Sequence, residues 1–223
     1  MSLAAAQNPL DPREALVFFY SHPSNNSALT NLGVYRRSLT GGENPPYRDF
    51  NIETSNLRLA PSGLVIAFYN GAPRVFGFSK ADNDRSIVTQ LSPTWTPIDD
   101  VSSGLVQGLW QPAIAAISDF SEDSAYVFYL ASETVAKASL VRYNLSKYSP
   151  QYQRYDINAN INSMLAAVKM RGSGNLRIFF QPETNSNYIH VYDIGNQTCK
   201  CPPPAVLIGI DSRISRSGTH SRH

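Results

Sequence analysis

Three stretches of this chain begin alike at a nearly constant interval. They are Leu64-Val65-Ile66-Ala67-Phe68, Ile114-Ala115-Ala116-Ile117-Ser118 and Leu165-Ala166-Ala167-Val168-Lys169, with starts 50 and 51 residues apart. Each is followed, across a short polar or Gly-containing turn, by an aromatic run: Arg74-Val75-Phe76-Gly77-Phe78, Tyr126-Val127-Phe128-Tyr129-Leu130 and Arg177-Ile178-Phe179-Phe180-Gln181. A repeat of this length is one supersecondary unit, too small to bury its apolar surface alone, so neighbouring units must stack.

A third run follows in each unit, at Ile87-Val88-Thr89, Leu140-Val141-Arg142-Tyr143 and Ile189-His190-Val191-Tyr192. A fourth, more polar run lies around Trp95 and at Tyr152-Gln153-Arg154-Tyr155-Asp156. Short β-branched and aromatic runs bounded by Gly, Pro, Asn and Ser read as strands. Charged residues make up only 16% of the chain, while Tyr (12) and Phe (10) are plentiful, which suits strands better than long helices. A small close-packed strand first and a polar strand last is the order expected when the first lines a crowded axis and the last faces water.

The fold expected is therefore all-β: a β-propeller of four-stranded antiparallel blades, with about four units at 15–54, 56–100, 110–157 and 162–198 inside a domain spanning 1–204. In the first unit Leu16–Tyr20, Leu32–Tyr35 and Tyr47–Phe50 serve as second, third and fourth strands, which leaves it without an inner strand. The run Ala205–Ile210 could supply a closing strand, and the Ser- and Arg-rich remainder from Asp211 reads as a disordered tail.

The formal charge is only +2, and Arg213, Arg216 and Arg222 in the tail account for it; no basic stripe interleaves with aromatics, so no nucleic-acid partner is expected. No run approaches the ~18 apolar residues of a spanning helix, and the N-terminus lacks a basic region followed by an apolar run. A soluble chain without membrane association, cytoplasmic or exported without a signal peptide, is expected. Cys199 and Cys201 form a lone C-x-C read as loop thiols, and the four histidines show no metal spacing, with His190 placed on the solvent side of its strand. Arg171-Gly172-Ser173-Gly174-Asn175 connects two strands and reads as a hairpin turn rather than a phosphate loop. The acids Asp99, Asp100, Glu122, Asp123, Glu133 and Glu183 lie in turns or linkers without recurring placement, so no enzyme, metal or cofactor is expected.

With the units laid out, residues 56–195 resemble the fungal fucose-specific lectins, six-bladed β-propellers of the Aleuria aurantia lectin type. The resemblance rests on the paired texts Ala113–Ser118 with Tyr126–Tyr129 and Leu165–Val168 with Leu176–Gln181, together with the approach Leu59–Leu64. It implies that a fucose sits between neighbouring blades, held by an Arg on the second strand, a Glu on the third and an aromatic of the next blade. The second-strand place holds Leu16, Arg74, Tyr126 and Arg177, which makes Arg74 and Arg177 the expected sugar contacts. The third-strand place is aligned with Val34, Thr89, Arg142 and Val191, so no acceptor carboxylate is expected to survive. Trp95, Trp110 and Tyr192 are the aromatics expected near blade junctions, as a sugar wall or as packing.

These expectations add up to a lectin-like protein with degenerate sites for a fucosylated glycan. The alternative is a non-catalytic interaction propeller. Four units fall short of a six-bladed ring, and open sheet edges would favour a homo-oligomer; a fragment, a truncated homologue and a four-bladed closure fit the count equally. Deleting residues from Asp211 onward should move the melting temperature by no more than about two degrees, since nothing in that segment can bury itself as a strand; a scanning-calorimetry comparison checks this.

Overall fold

The computed structural model describes residues 3–8, 11–21, 31–41, 48–50, 58–80, 86–92, 96–97, 113–119, 124–132, 138–145, 151–160, 163–182 and 188–200. Every regular element among them is a strand. The first sheet holds β1 (Leu3–Gln7), β2 (Glu14–Ser21), β3 (Asn31–Ser38) and β4 (Arg48–Phe50). The second holds β5 (Arg58–Tyr69), β6 (Ala72–Lys80), β7 (Ser86–Ser92) and β8 (Thr96–Pro97). The third holds β9 (Ile114–Asp119), β10 (Ser124–Ser132), β11 (Ala138–Leu145) and β12 (Gln151–Ala159), and the fourth β13 (Ala166–Lys169), β14 (Leu176–Phe180), β15 (His190–Asp193) and β16 (Thr198–Lys200).

In each sheet the strands pair in sequence order, all antiparallel, so each is a simple meander. The hairpin between β5 and β6 shows how local chemistry sets this. Tyr69 pairs with Ala72 across Asn70 (φ 52) and Gly71 (φ 70), the two left-handed residues that a tight two-residue turn demands. Arg171–Ser173 is likewise a turn, closed by the Met170 amide donating to the Asn175 carbonyl at 2.9 Å.

The first strands β1, β5, β9 and β13 lie side by side in that order, and the sheets stack face to face around them. Small residues such as Ala67 and Ala115 are buried on these strands, where large ones would not fit. The first unit differs from expectation: its inner strand is Leu3–Gln7, paired with β2 from Leu3↔Phe19 to Gln7↔Ala15. The alanine-rich text Leu3-Ala4-Ala5-Ala6-Gln7 carries no β-branched or aromatic residue, so propensity hid a strand that tertiary position imposes. The fourth unit also gains an outer strand, β16, which moves Cys199 from a loop into a ladder opposite Tyr192. Trp95, Trp110, Cys201 and the run 205–210 lie outside the described residues, as do all six acids named above.

Three apolar clusters fill the sheet junctions. Phe18, Tyr20, Leu32 and Val34 of the first sheet meet Leu64, Val75 and Leu91 of the second. Phe76, Phe78 and Val88 of the second meet Val127, Tyr129, Val141 and Tyr143 of the third. Phe128, Leu130, Leu140, Tyr155 and Ile157 of the third meet Leu176, Ile178, Phe180 and Tyr192 of the fourth. The middle sheets are thus buried on both faces, which is why Tyr126–Leu130 is an unbroken apolar run; β14, covered by the described residues on one face, alternates. Each fully buried Phe contributes roughly 1.5–3 kcal/mol of transfer free energy.

Gly77 marks a close approach in the first junction. A Cβ there would meet the Tyr20 hydroxyl at 2.5 Å, Leu91 Cδ1 at 2.9 Å and Leu64 Cδ2 at 3.1 Å. Gly77→Ala should therefore destabilise the fold by about 1–3 kcal/mol through overpacking, read as a lower urea midpoint.

Candidate functional site

The charged side chains of the described residues cluster mainly at one end of the junctions, where the first strand of each sheet ends and the second begins. In the first sheet Arg36 holds Glu14 through Nε (3.0 Å) and Nη2 (2.5 Å), and Asn8 Nδ2 donates to the same carboxylate at 2.9 Å. Those bonds, Arg36 first, hold the Glu14 carboxyl below its ordinary pKa. Leu16 occupies the second-strand place beside them and pairs with Arg36.

In the second sheet Arg74 projects toward the third, on the same face as Phe76 and Phe78. Its guanidinium lies 5.7 Å from the centroid of the Tyr69 ring, and its Nε is buried without a protein partner. Across the junction stand Tyr143 and Tyr152 of the third sheet, their rings 4.9 Å apart. The Tyr143 hydroxyl is pushed above its ordinary pKa by burial and, secondarily, by Tyr69. The Phe68 amide donates to Ser118 Oγ at 2.7 Å, tying the two inner strands together.

The third junction is the most polar. At the ends of the inner strands Lys169 Nζ donates to Asp119 Oδ2 at 2.5 Å, joining the third and fourth sheets across a buried carboxylate. Outward from that pair, on the face of the third sheet that meets the fourth, come Ser124, Tyr126, Arg142, Asn144, Gln153 and Tyr155. Arg142 Nη2 donates to Gln153 Oε1 at 2.6 Å, and the guanidinium sits 5.7 and 5.8 Å from the ring centroids of Tyr126 and Tyr155. Burial raises the Tyr155 hydroxyl pKa and the charge on Arg142 opposes it. Tyr192 of the fourth sheet packs on Tyr155 with centroids 5.4 Å apart, so in this junction it is part of the packing.

In the fourth sheet Arg177 lies on the face turned away from the third, its side chain 41% exposed. It pairs directly with Asp193, and Nε lies 3.5 Å from Asp193 Oδ2. The other oxygen, Oδ1, accepts from the Asn196 amide at 3.2 Å. The residue opposite Arg177 is thus Asp193 and not Val191, which the sequence alignment placed there. The aligned residues Val34, Arg142 and Val191 pair with Phe18, Phe128 and Phe179, two residues away from the second-strand place. The true partners of Leu16, Tyr126 and Arg177 are Arg36, Asn144 and Asp193. A two-residue shift keeps every side chain on its face, so the burial pattern of the sequence could not reveal it.

The opposite end of the third junction holds a cavity of about 360 Å³ lined by Asp156, Ile157, Asn158, Phe180, Pro182, His190 and Cys199. His190 faces this cavity rather than the solvent side, because it pairs with buried Phe180 and packs on its ring edge at 5.7 Å. Cys199 Sγ lies 3.7 Å from His190 Nδ1. Among the described residues no group of three or more His, Cys, Asp or Glu could hold a metal ion. No described helix is long and apolar enough to cross a membrane.

No family model matches the chain. Among solved structures it resembles the Aleuria aurantia lectin, a fungal six-bladed β-propeller, with TM-score 0.57 and 14% identity over 92% of this chain and 62% of that one. The described residues form four blades of a β-propeller. A mutant of the same lectin in complex with Fucalpha1-6GlcNAc superposes at TM-score 0.56 and 16% identity, over 92% of this chain and 62% of that one. AofleA from Arthrobotrys oligospora, described as a mutant with three arginines replaced by alanine, superposes at 0.53 and 14% identity over 90% and 56%. A curated relative, named wall-associated proteinase, of Coccidioides immitis (strain RS) is 26% identical over 132 residues, 59% of this chain and 35% of that protein. The chain therefore spans about three-fifths of the propellers it superposes on and about a third of the curated relative.

The Asp119–Lys169 pair joins two blades, and its loss would leave a buried carboxylate with one fewer donor. Lys169→Ala should cost roughly 1–3 kcal/mol, and a double-mutant cycle with Asp119→Asn should return a coupling of at least about 1 kcal/mol in chemical denaturation.

Proposed function

We propose that the chain is a lectin-like carbohydrate-binding protein that takes L-fucose or a related sugar between blades, without catalysing a reaction on it. The observation that carries the reading is the Arg177–Asp193 pair, a donor and an acceptor on directly opposed residues of the second and third strands. A sugar ring is fixed when adjacent hydroxyls meet one charged donor and one charged acceptor, which together set both position and orientation. Arg74 is the second proposed contact, with Tyr69, Tyr143 and Tyr152 offering aromatic faces for the apolar side of the ring. Support for fucose comes from the lectin mutant whose bound ligand is Fucalpha1-6GlcNAc, and from the place of Arg177 and Arg74 on the second strand, where the resemblance implied the donor.

One observation favours a second reading, the interaction propeller. Of the seven exposed large hydrophobics among the described residues, Met164, Val168, Tyr188 and Ile189 all belong to the fourth blade or the segments entering its strands. A protein partner or a second copy covering that blade would bury them.

Titration calorimetry with L-fucose separates the two. Wild-type binding should weaken about tenfold in Asp193→Asn, the loss expected for one charge-assisted hydrogen bond, and should be lost in Arg177→Ala with Arg74→Ala. Binding that survives the double substitution removes these residues from the site. No binding in the wild type favours the interaction propeller.

A further inference from the structure

Six buried side-chain polar atoms among the described residues have no protein hydrogen-bond partner, and four of them lie on one face of one blade: Ser124 Oγ, Arg142 Nε, Asn144 Oδ1 and Tyr155 Oη. The ladder fixes this shared face. Tyr126 pairs with Asn144, Phe128 with Arg142, and Arg142 with Gln153, while Ser124 and Tyr155 fall in the same alternation. All therefore look into the junction between the third and fourth blades. Buried polar atoms are normally satisfied, so four on one wall mark a place where a polar partner belongs.

Charge decides the kind of partner. Asp119, at the inner end of this wall, is bound by Lys169, whereas among the described residues Arg142 meets a neutral amide and two tyrosine faces and no carboxylate. A half-buried guanidinium without an anion is costly, and the geometry it satisfies best is a planar or tetrahedral oxyanion. Asn144, which can donate and accept, and the Ser124 and Tyr155 hydroxyls would meet ring hydroxyls. Tyr126, Arg142 and Asn144 are each partly exposed, so the wall opens to solvent at that end.

We propose that this junction is a distinct site for an acidic sugar, a ring bearing a carboxylate or a sulfate, with Arg142 binding the oxyanion and Ser124, Asn144 and Tyr155 binding hydroxyls. Its chemistry differs from that at Arg177: the cation comes from the third strand, and Tyr126 stands where the second-strand Arg would be. The inference rests on the reading of blade junctions as sugar sites, but none of its contacts is shared with the fucose contacts.

The test is calorimetric titration of the full chain with D-glucuronate, galactose 6-sulfate, D-galactose, inorganic sulfate and L-fucose. D-Glucuronate or galactose 6-sulfate should bind at least about tenfold more tightly than D-galactose, and whichever arm binds identifies the oxyanion. Arg142→Gln should weaken that binding about tenfold or more, and Arg177→Ala should leave it unchanged. Asn144→Asp places a carboxylate beside Arg142; it should abolish acidic-sugar binding while keeping or raising the melting temperature, which guards against a variant that merely fails to fold. Inorganic sulfate binding as tightly as galactose 6-sulfate would reduce the site to a simple anion site. Acidic-sugar binding that survives both Arg142→Gln and Asn144→Asp, or none in the wild type, overturns the proposal. L-Fucose binding lost in Arg177→Ala with Arg74→Ala but kept in Arg142→Gln speaks only to the earlier reading.

Discussion

The structure depends on sheets that are covered on both faces. In the third blade Val127 and Tyr129 pack on the second blade while Phe128 and Leu130 pack on the fourth, and all four are essentially inaccessible to water. A four-stranded meander with one covered face is marginal by itself; stacking supplies the second face and makes each blade a part of its neighbours' cores. The inner strands then come close together, which explains their alanines. Gly77 is a local instance of the same constraint, a missing side chain where Tyr20 crosses from the neighbouring blade.

Because the interiors of the junctions are largely apolar, the charged groups among the described residues gather mainly at one end. Each blade uses that end differently on the same backbone. The first carries Glu14 with Arg36, the second Arg74 over Tyr69, the third Arg142 between Tyr126 and Tyr155, and the fourth Arg177 opposite Asp193. The scaffold is common to the four blades, and a few polar residues near that end differ from blade to blade. The four ends are accordingly four separate questions of specificity.

Packing and recognition also compete for the same aromatics. Tyr192 reads from sequence as a sugar wall or as blade packing, and its ring against Tyr155 assigns it to packing in the third junction. The rings beside the cations are instead Tyr69, Tyr126 and Tyr155. A Tyr in a strand looks the same in sequence whether its neighbour across the junction is an apolar side chain or a guanidinium.

The sequence by itself determined the number of units and the order of strands within them. Those follow from local features: a fixed interval, Asn-Gly and Gly-containing turns, and apolar runs whose alternation reports one covered face or two. It could not determine the first inner strand, since Leu3–Gln7 is a strand through its ladder with β2 rather than through propensity. Nor could it determine which residue faces Arg177. The pairing of β14 with β15 is set across a connection whose length the repeat does not conserve, and a slip of two residues preserves every inside and outside position. Asp193 becomes the partner of Arg177, and Ser124, Arg142, Asn144 and Tyr155 come to share one wall, only when the ladders are in register, because cross-strand proximity is a property of the sheet and not of the strand.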